Sequence, residues 1–184
     1  MENNKWYKFS LIADLLERLN GVPPQFGKTV LQKMIFILQE VYNVPCGYKF
    51  SLYSYGPYCS EIPKDLDFVT ALCGTEACRI NSGFGGDTIS PGGTCKDIKG
   101  FGKAFLDKHD AKIQEAVQDF GAFNVSDLEL RSTIIYCCKE MGGVHGDSSA
   151  EKVVSAVYEI KPKFTHDEIE TTVNSMIEQN VINS

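Results

Sequence analysis

The sequence predicts a mostly helical α+β fold carrying one small β-hairpin. Three observations lead there. The stretch 28–42, KTVLQKMIFILQEVY, is apolar around most of a helical circumference, the mark of a central, buried helix. The stretch 50–72, FSLYSYGPYCSEIPKDLDFVTAL, runs from an aromatic, strand-like segment through Gly56-Pro57 into an amphipathic helix. The glycine-rich stretch 75–98 frames two short strand patterns, Arg79 to Ser82 and Thr88 to Ser90, around a turn. Helix, buried helix, aromatic strand, helix and hairpin in that order describe a winged-helix domain, a helix-turn-helix core with a β wing.

The elements follow in chain order. Trp6, Phe9, Ile12, Leu16 and Leu19 recur at helical spacing, widened by Leu11 and Leu15, and Asn20-Gly21 ends this helix before Pro23-Pro24. GVPPQFGKT at 21–29 invites comparison with a phosphate-binding loop, but Gly21 and Gly27 enclose five residues, not four, and two of them are prolines without amide donors. Gly27-Lys28-Thr29 therefore reads as the entrance to the buried helix. After Gly56-Pro57 the next helix has Ser60 as its N-cap and Pro63 in its first turn, where a missing N–H costs no hydrogen bond. Ile62, Leu66, Phe68, Val69, Leu72 and Cys73 are its expected inward stripe; Glu61, Lys64, Asp65 and Asp67 are expected to face outward.

From Gly100 to Phe120 the pattern is helical, with Phe101, Phe105, Ile113, Val117 and Phe120 as its spine. Three Ser/Thr-x-x-Glu capping boxes follow: Ser126 with Glu129, Ser148 with Glu151, and Thr165 with Glu168. They frame helices over about 127–141, 149–159 and 166–179. Residues 1–98 are expected to form the winged-helix domain and 99–184 a helical extension packed on it, the two making one compact unit if the packing is intimate.

Composition narrows the function. With 43% hydrophobic and 23% charged residues over 184 positions, the chain can bury a sizeable core. Its apolar runs stop short of a membrane span, and Met1 to Lys8 is too polar for a secretory signal, so a cytoplasmic protein is expected. Seven cysteines, an odd number with no CxxC, are expected to be reduced thiols. No metal site and no cofactor are expected. The net charge of −6 is uneven: residues 1–112 sum to about +1, while 113–184 carry −7.

Four blocks carry a resemblance: LQKMIFILQE (31–40), GYKFSLYSYGPYCSEIPKDLD (47–67), DLELRSTIIY (127–136) and EIKPKFTHDEIETTVNSMIEQNVI (159–182). Together they resemble the YwgA-like prokaryotic family, and the LQK helix and YGP turn are similar to those of the Panacea domain of prokaryotic antitoxins. The resemblance implies a winged-helix fold and no assigned reaction. It departs at Cys59, where Ser is expected after YGPY, and in a wing unusually rich in glycine.

No nucleophile with its base, metal cluster or pair of acids assembles from the sequence. A non-enzymatic regulatory or adaptor module acting through a protein partner, or through self-association, is therefore the expected function. The aromatic turn is its expected binding site: Tyr53, Tyr55, Tyr58, Cys59 and Glu61, with Cys59 an exposed thiol at a helix N-terminus. The alternative is a DNA-binding regulator. The acids on the helix after the turn oppose phosphates, so the candidate DNA contacts lie elsewhere, at Arg79, Lys96, Lys99, Lys103, Lys108 and Lys112, interrupted by Asp97, Asp107 and Asp110. A second alternative, an antitoxin-like neutralising protein, comes from the Panacea resemblance alone.

Overall fold

The computed structural model describes residues 5–80, 86–142, 144 and 149–183. Among them the chain runs α1 (Trp6–Leu19), α2 (Lys28–Glu40), β1 (Ser51–Tyr53), β2 (Gly56–Tyr58), α3 (Glu61–Ala71), β3 (Thr75–Ile80), β4 (Gly86–Pro91), α4 (Cys95–Phe101), α5 (Lys103–Phe120), α6 (Val125–Glu140), α7 (Ala150–Ile160) and α8 (His166–Glu178). The fold is thus α+β and mostly helical. Two separate antiparallel ribbons, β1–β2 and β3–β4, supply its only strands among the described residues.

Two buried helices hold the layers together. Leu11, Ile12, Leu15, Leu16 and Leu19 of α1 and Val30, Leu31, Met34, Ile35, Phe36, Ile37 and Leu38 of α2 are all fully buried. Around α1 lie α3, α4, α5 and β4; around α2 lie α5, α6, β2 and β4. Helix α6 then carries α7 and α8 on its far side. The β3–β4 ribbon pairs Thr75 with Pro91 through Ile80 with Gly86, and the Ile89 N–H donates to the Phe26 carbonyl at 2.9 Å, tying it to the link between α1 and α2. Of the expected wing turn at 83–87, residues 83–85 lie outside the described residues, whereas Gly86 and Asp87 already belong to β4.

Several local expectations change. Gly56-Pro57 is not the turn of the aromatic segment: Tyr53 pairs with Gly56, so Ser54-Tyr55 make a two-residue connection and Gly56-Pro57 begin the returning strand. On α3, Asp65 is buried and accepts from the Tyr48 hydroxyl at 2.8 Å, whereas Phe68, Leu72 and Cys73 lie exposed. Phe68 stays at the rim because it stacks on Phe9, with ring centroids 4.6 Å apart. Phe101 is likewise exposed and lies on Trp6, at 4.4 Å between centroids.

The helix expected over 100–120 is instead two helices broken at Gly102. A Cβ there would sit 2.5 Å from Ser10 Oγ and 3.0 Å from the Tyr7 Cα, so the backbone of α1 passes where a side chain would be. The capping boxes also divide. Thr165 and Glu168 form one as expected. Before α6 the cap is Asn124, whose side chain accepts from the Asp127 N–H, because Ser126 already lies inside the helix. Ser148 is outside the described residues, and Ser149 at the N-cap of α7 makes no side-chain cap bond.

The contrast between two glycines is testable. Gly102→Ala is expected to lower stability by about 1–3 kcal/mol through overpacking. Gly100→Ala, which has open space inside α4, is expected to raise it by up to about 1 kcal/mol. Opposite shifts of the urea midpoint at constant slope are the result to look for.

Candidate functional site

The site forms where α2 meets the β1–β2 hairpin. Gln32 and Lys33 sit side by side on α2, in an otherwise apolar run, and both are buried. Their polar ends are therefore obliged to find partners, and they find backbone. The Gln32 amide donates to the Cys59 carbonyl at 3.1 Å and accepts from the Cys59 N–H at 3.0 Å. The Lys33 ammonium donates to the Pro57 carbonyl at 2.7 Å. Strand β2 is thereby pinned to α2. Gly56 must be glycine: its φ is +87°, and a Cβ would lie 3.1 Å from Thr133 Oγ1 and 3.4 Å from Lys33 Nζ.

A second set of contacts fixes the hairpin from α6. Glu129 is buried and accepts from Lys161 Nζ at 2.9 Å on one oxygen and from Lys163 Nζ at 2.8 Å on the other. Lys161, itself buried, also donates to the Ser54 carbonyl at the hairpin turn. Burial pushes the Lys33 ammonium down to about 8, against the pull of Glu129 and with the help of Lys161.

Between α2 and the hairpin opens a cavity of about 580 Å³. Lys28, Thr29, Gln32 and Lys33 form the helix side. Tyr53, Tyr55 and Tyr58 form the hairpin side, with Pro63 of α3 closing it. Tyr53 and Tyr55 are 61% and 69% exposed, and the Tyr53 and Tyr58 rings meet edge to face at 5.3 Å. Two lysines and no carboxylate line the cavity among the described residues.

The predicted site residues therefore part company. The three tyrosines come together on one accessible ridge. Cys59 does not join them: it is 3% exposed, its backbone held by Gln32, because the chain turns inward on entering α3. That burial removes the basis for an accessible thiol. Glu61 points elsewhere and pairs with Lys8 at 3.2 Å. Sequence reasoning assigned none of Lys28, Gln32, Lys33, Glu129, Lys161 and Lys163 to a site; it read Lys28 as part of a helix entrance and Glu129 as a capping-box partner. The available signal was a Gln-Lys pair inside a helix apolar on every other side.

The basic stretch lies across the molecule, on α4 and α5. Lys99 bridges Asp14 at 2.9 Å and Glu17 at 2.6 Å, and Lys103 pairs with Asp107 at 2.7 Å. Lys96, Lys108 and Lys112 are exposed. Arg79 occupies a β3 position opposite Asp87. A shallower depression of about 340 Å³ there mixes lysines with Asp14, Asp107 and Asp110. Elsewhere, His166, Asp167 and Glu170 form an exposed group on α8 that is open to solvent. Among the described residues, no helix is long and apolar enough to cross a membrane. No protein-family model matches the chain, and no curated protein matches it.

Two predictions concern the charges under the hairpin. Glu129→Gln leaves Lys161 buried without its counter-charge and is expected to cost about 3–5 kcal/mol, whereas Lys163→Met, at a half-exposed position, is expected to cost less than about 1 kcal/mol. Chemical denaturation of the two variants checks this. Because the folded Lys33 titrates at about 8 and its usual value is 10.5, the unfolded chain holds more protons between those pH values. Stability from this group therefore rises with pH across that window, by about 3 kcal/mol. The unfolding free energy of the native chain relative to Lys33→Met should climb accordingly, and a flat difference from pH 8 to 10.5 would contradict it.

Proposed function

We propose that the chain is a non-enzymatic winged-helix adaptor or regulatory module that acts by binding a protein partner through its tyrosine hairpin. The order α1, α2, α3 and then the β3–β4 ribbon supports the winged-helix reading, with β1–β2 inserted before the third helix. The observation that carries the binding role is the ridge of Tyr53, Tyr55 and Tyr58, solvent-facing side chains on backbone held rigid from beneath. Tyrosines give large contact area at low entropic cost, which is why interface hot spots are rich in them. An antitoxin-like neutraliser would be one form of the same activity.

DNA binding through Arg79, Lys96, Lys99, Lys103, Lys108 and Lys112 is the weaker reading. Lys99 and Lys103 already hold acidic partners, so fewer free charges remain for phosphates.

The test is capture from native lysate with nuclease present, followed by a binding measurement with the purified partner. Tyr53→Ser with Tyr55→Ser is expected to weaken that binding by about 10–100-fold, the scale of two hot-spot losses, while Lys103→Glu with Lys108→Glu leaves it unchanged. The opposite pattern, with a shift of duplex DNA that collapses as salt rises, would replace this reading with the DNA-binding one.

A further inference from the structure

The charges around the hairpin do not balance. Glu129 has both oxygens engaged, by Lys161 and by Lys163, and among the described residues it is the only carboxylate acting on Lys33. Three lysines thus share one glutamate, and two of the three are buried. Lys33 has a single acceptor, the Pro57 carbonyl, for an ammonium with three N–H groups. Lys28, five residues earlier at the start of α2 and exposed, has no hydrogen-bond or ion-pair partner among the described residues. Both lysines line the same cavity, in a chain whose net charge is −6. A buried cation whose counter-charge is shared is costly, and the bond that pins β2 uses only one of the three N–H groups of Lys33.

We infer that this cavity is a binding site for a small anionic ligand, a carboxylate or phosphate carried on a flat, ring-sized body. The anion lies between Lys28 and Lys33, and the body lies against Tyr53, Tyr55 and Tyr58. The volume of about 580 Å³ is in the range of small-molecule sites, apolar walls with a few placed polar groups being their usual make-up. The tyrosine faces accept a flat ring, and their hydroxyls and the Gln32 and Thr29 side chains add neutral polar groups that do not repel an anion. Anion binding favours the charged form of Lys33, which titrates at about 8 in the unliganded chain, so binding near that pH takes up a proton. The ligand would share the three tyrosines with the proposed partner surface, but the inference rests on Lys28 and Lys33, which that reading does not use.

The experiment uses the full chain labelled with ¹⁵N-lysine and three probes of matched shape: benzoate, phenyl phosphate and the neutral benzamide. Benzoate or phenyl phosphate is expected to shift the Lys28 and Lys33 signals saturably in the roughly millimolar range, as suits so few atoms. Benzamide is expected not to. The stronger of the two anions identifies the charged group. Lys28→Met, an exposed position that leaves the fold intact, should weaken binding by about tenfold, and Lys103→Met should leave it unchanged. Binding of the anion should also fall as pH rises through about 8, with the Lys33 titration moving upward when the ligand is present. Equal binding of benzamide, unaltered binding by Lys28→Met, or no saturable shift up to roughly ten times that range would each overturn the assignment.

Discussion

The buried Glu129 carboxylate is the point on which the position of the hairpin depends. It belongs to α6, yet both lysines it binds come from the connection between α7 and α8, and one of them reaches on to the hairpin turn. Three chain segments, distant in sequence, are thus referred to one negative charge. Such a cluster adds little net stability over well-packed apolar residues, but it tolerates the loss of a member poorly. Its contribution is to fix where the hairpin sits, and the cavity between hairpin and α2 inherits that position.

This arrangement gives a physical meaning to four separate blocks of the sequence. The Gln and Lys of LQK clamp the backbone of Cys59 and Pro57. The glycine of YGPY admits the approach of Lys33, and Glu129 of DLELRS receives both lysines of KPKF. Each block is one part of a single latch. A helix-period reading of α2 registers its apolar face and passes over Gln32 and Lys33, because a polar pair in such a run looks like interruption until its partners are known.

What was legible in the sequence was periodicity, and what was hidden was contact. The buried character of α2, the ends of α1 and the cap at Thr165 follow from local pattern, and they stand as expected. The break at Gly102 does not, since it depends on α1 passing within a side chain's width of that residue. The reversal on α3 has a similar origin. Asp65 turns inward because Tyr48 offers it a hydroxyl, and Phe68 turns outward because Trp6 and Phe9 offer it rings at the surface. Ser126 fits the capping-box pattern, but Asn124, two places earlier, accepts from the Asp127 N–H and starts the helix. At the candidate site the tyrosines were visible as a cluster, while the charges beneath them were spread over more than a hundred residues of chain.

A ribbon with three residues in each strand does not persist by itself in water. Here its carbonyls at Ser54 and Pro57 are each held by a lysine, one from the α7–α8 connection and one from α2, so the backbone bearing the tyrosines is ordered before anything arrives. Whatever meets that ridge restricts side-chain rotamers and little else, which keeps the entropic penalty of association small. A molecule docking here, as proposed, would therefore meet a preformed shape, with its rate set by orientation and not by a folding step.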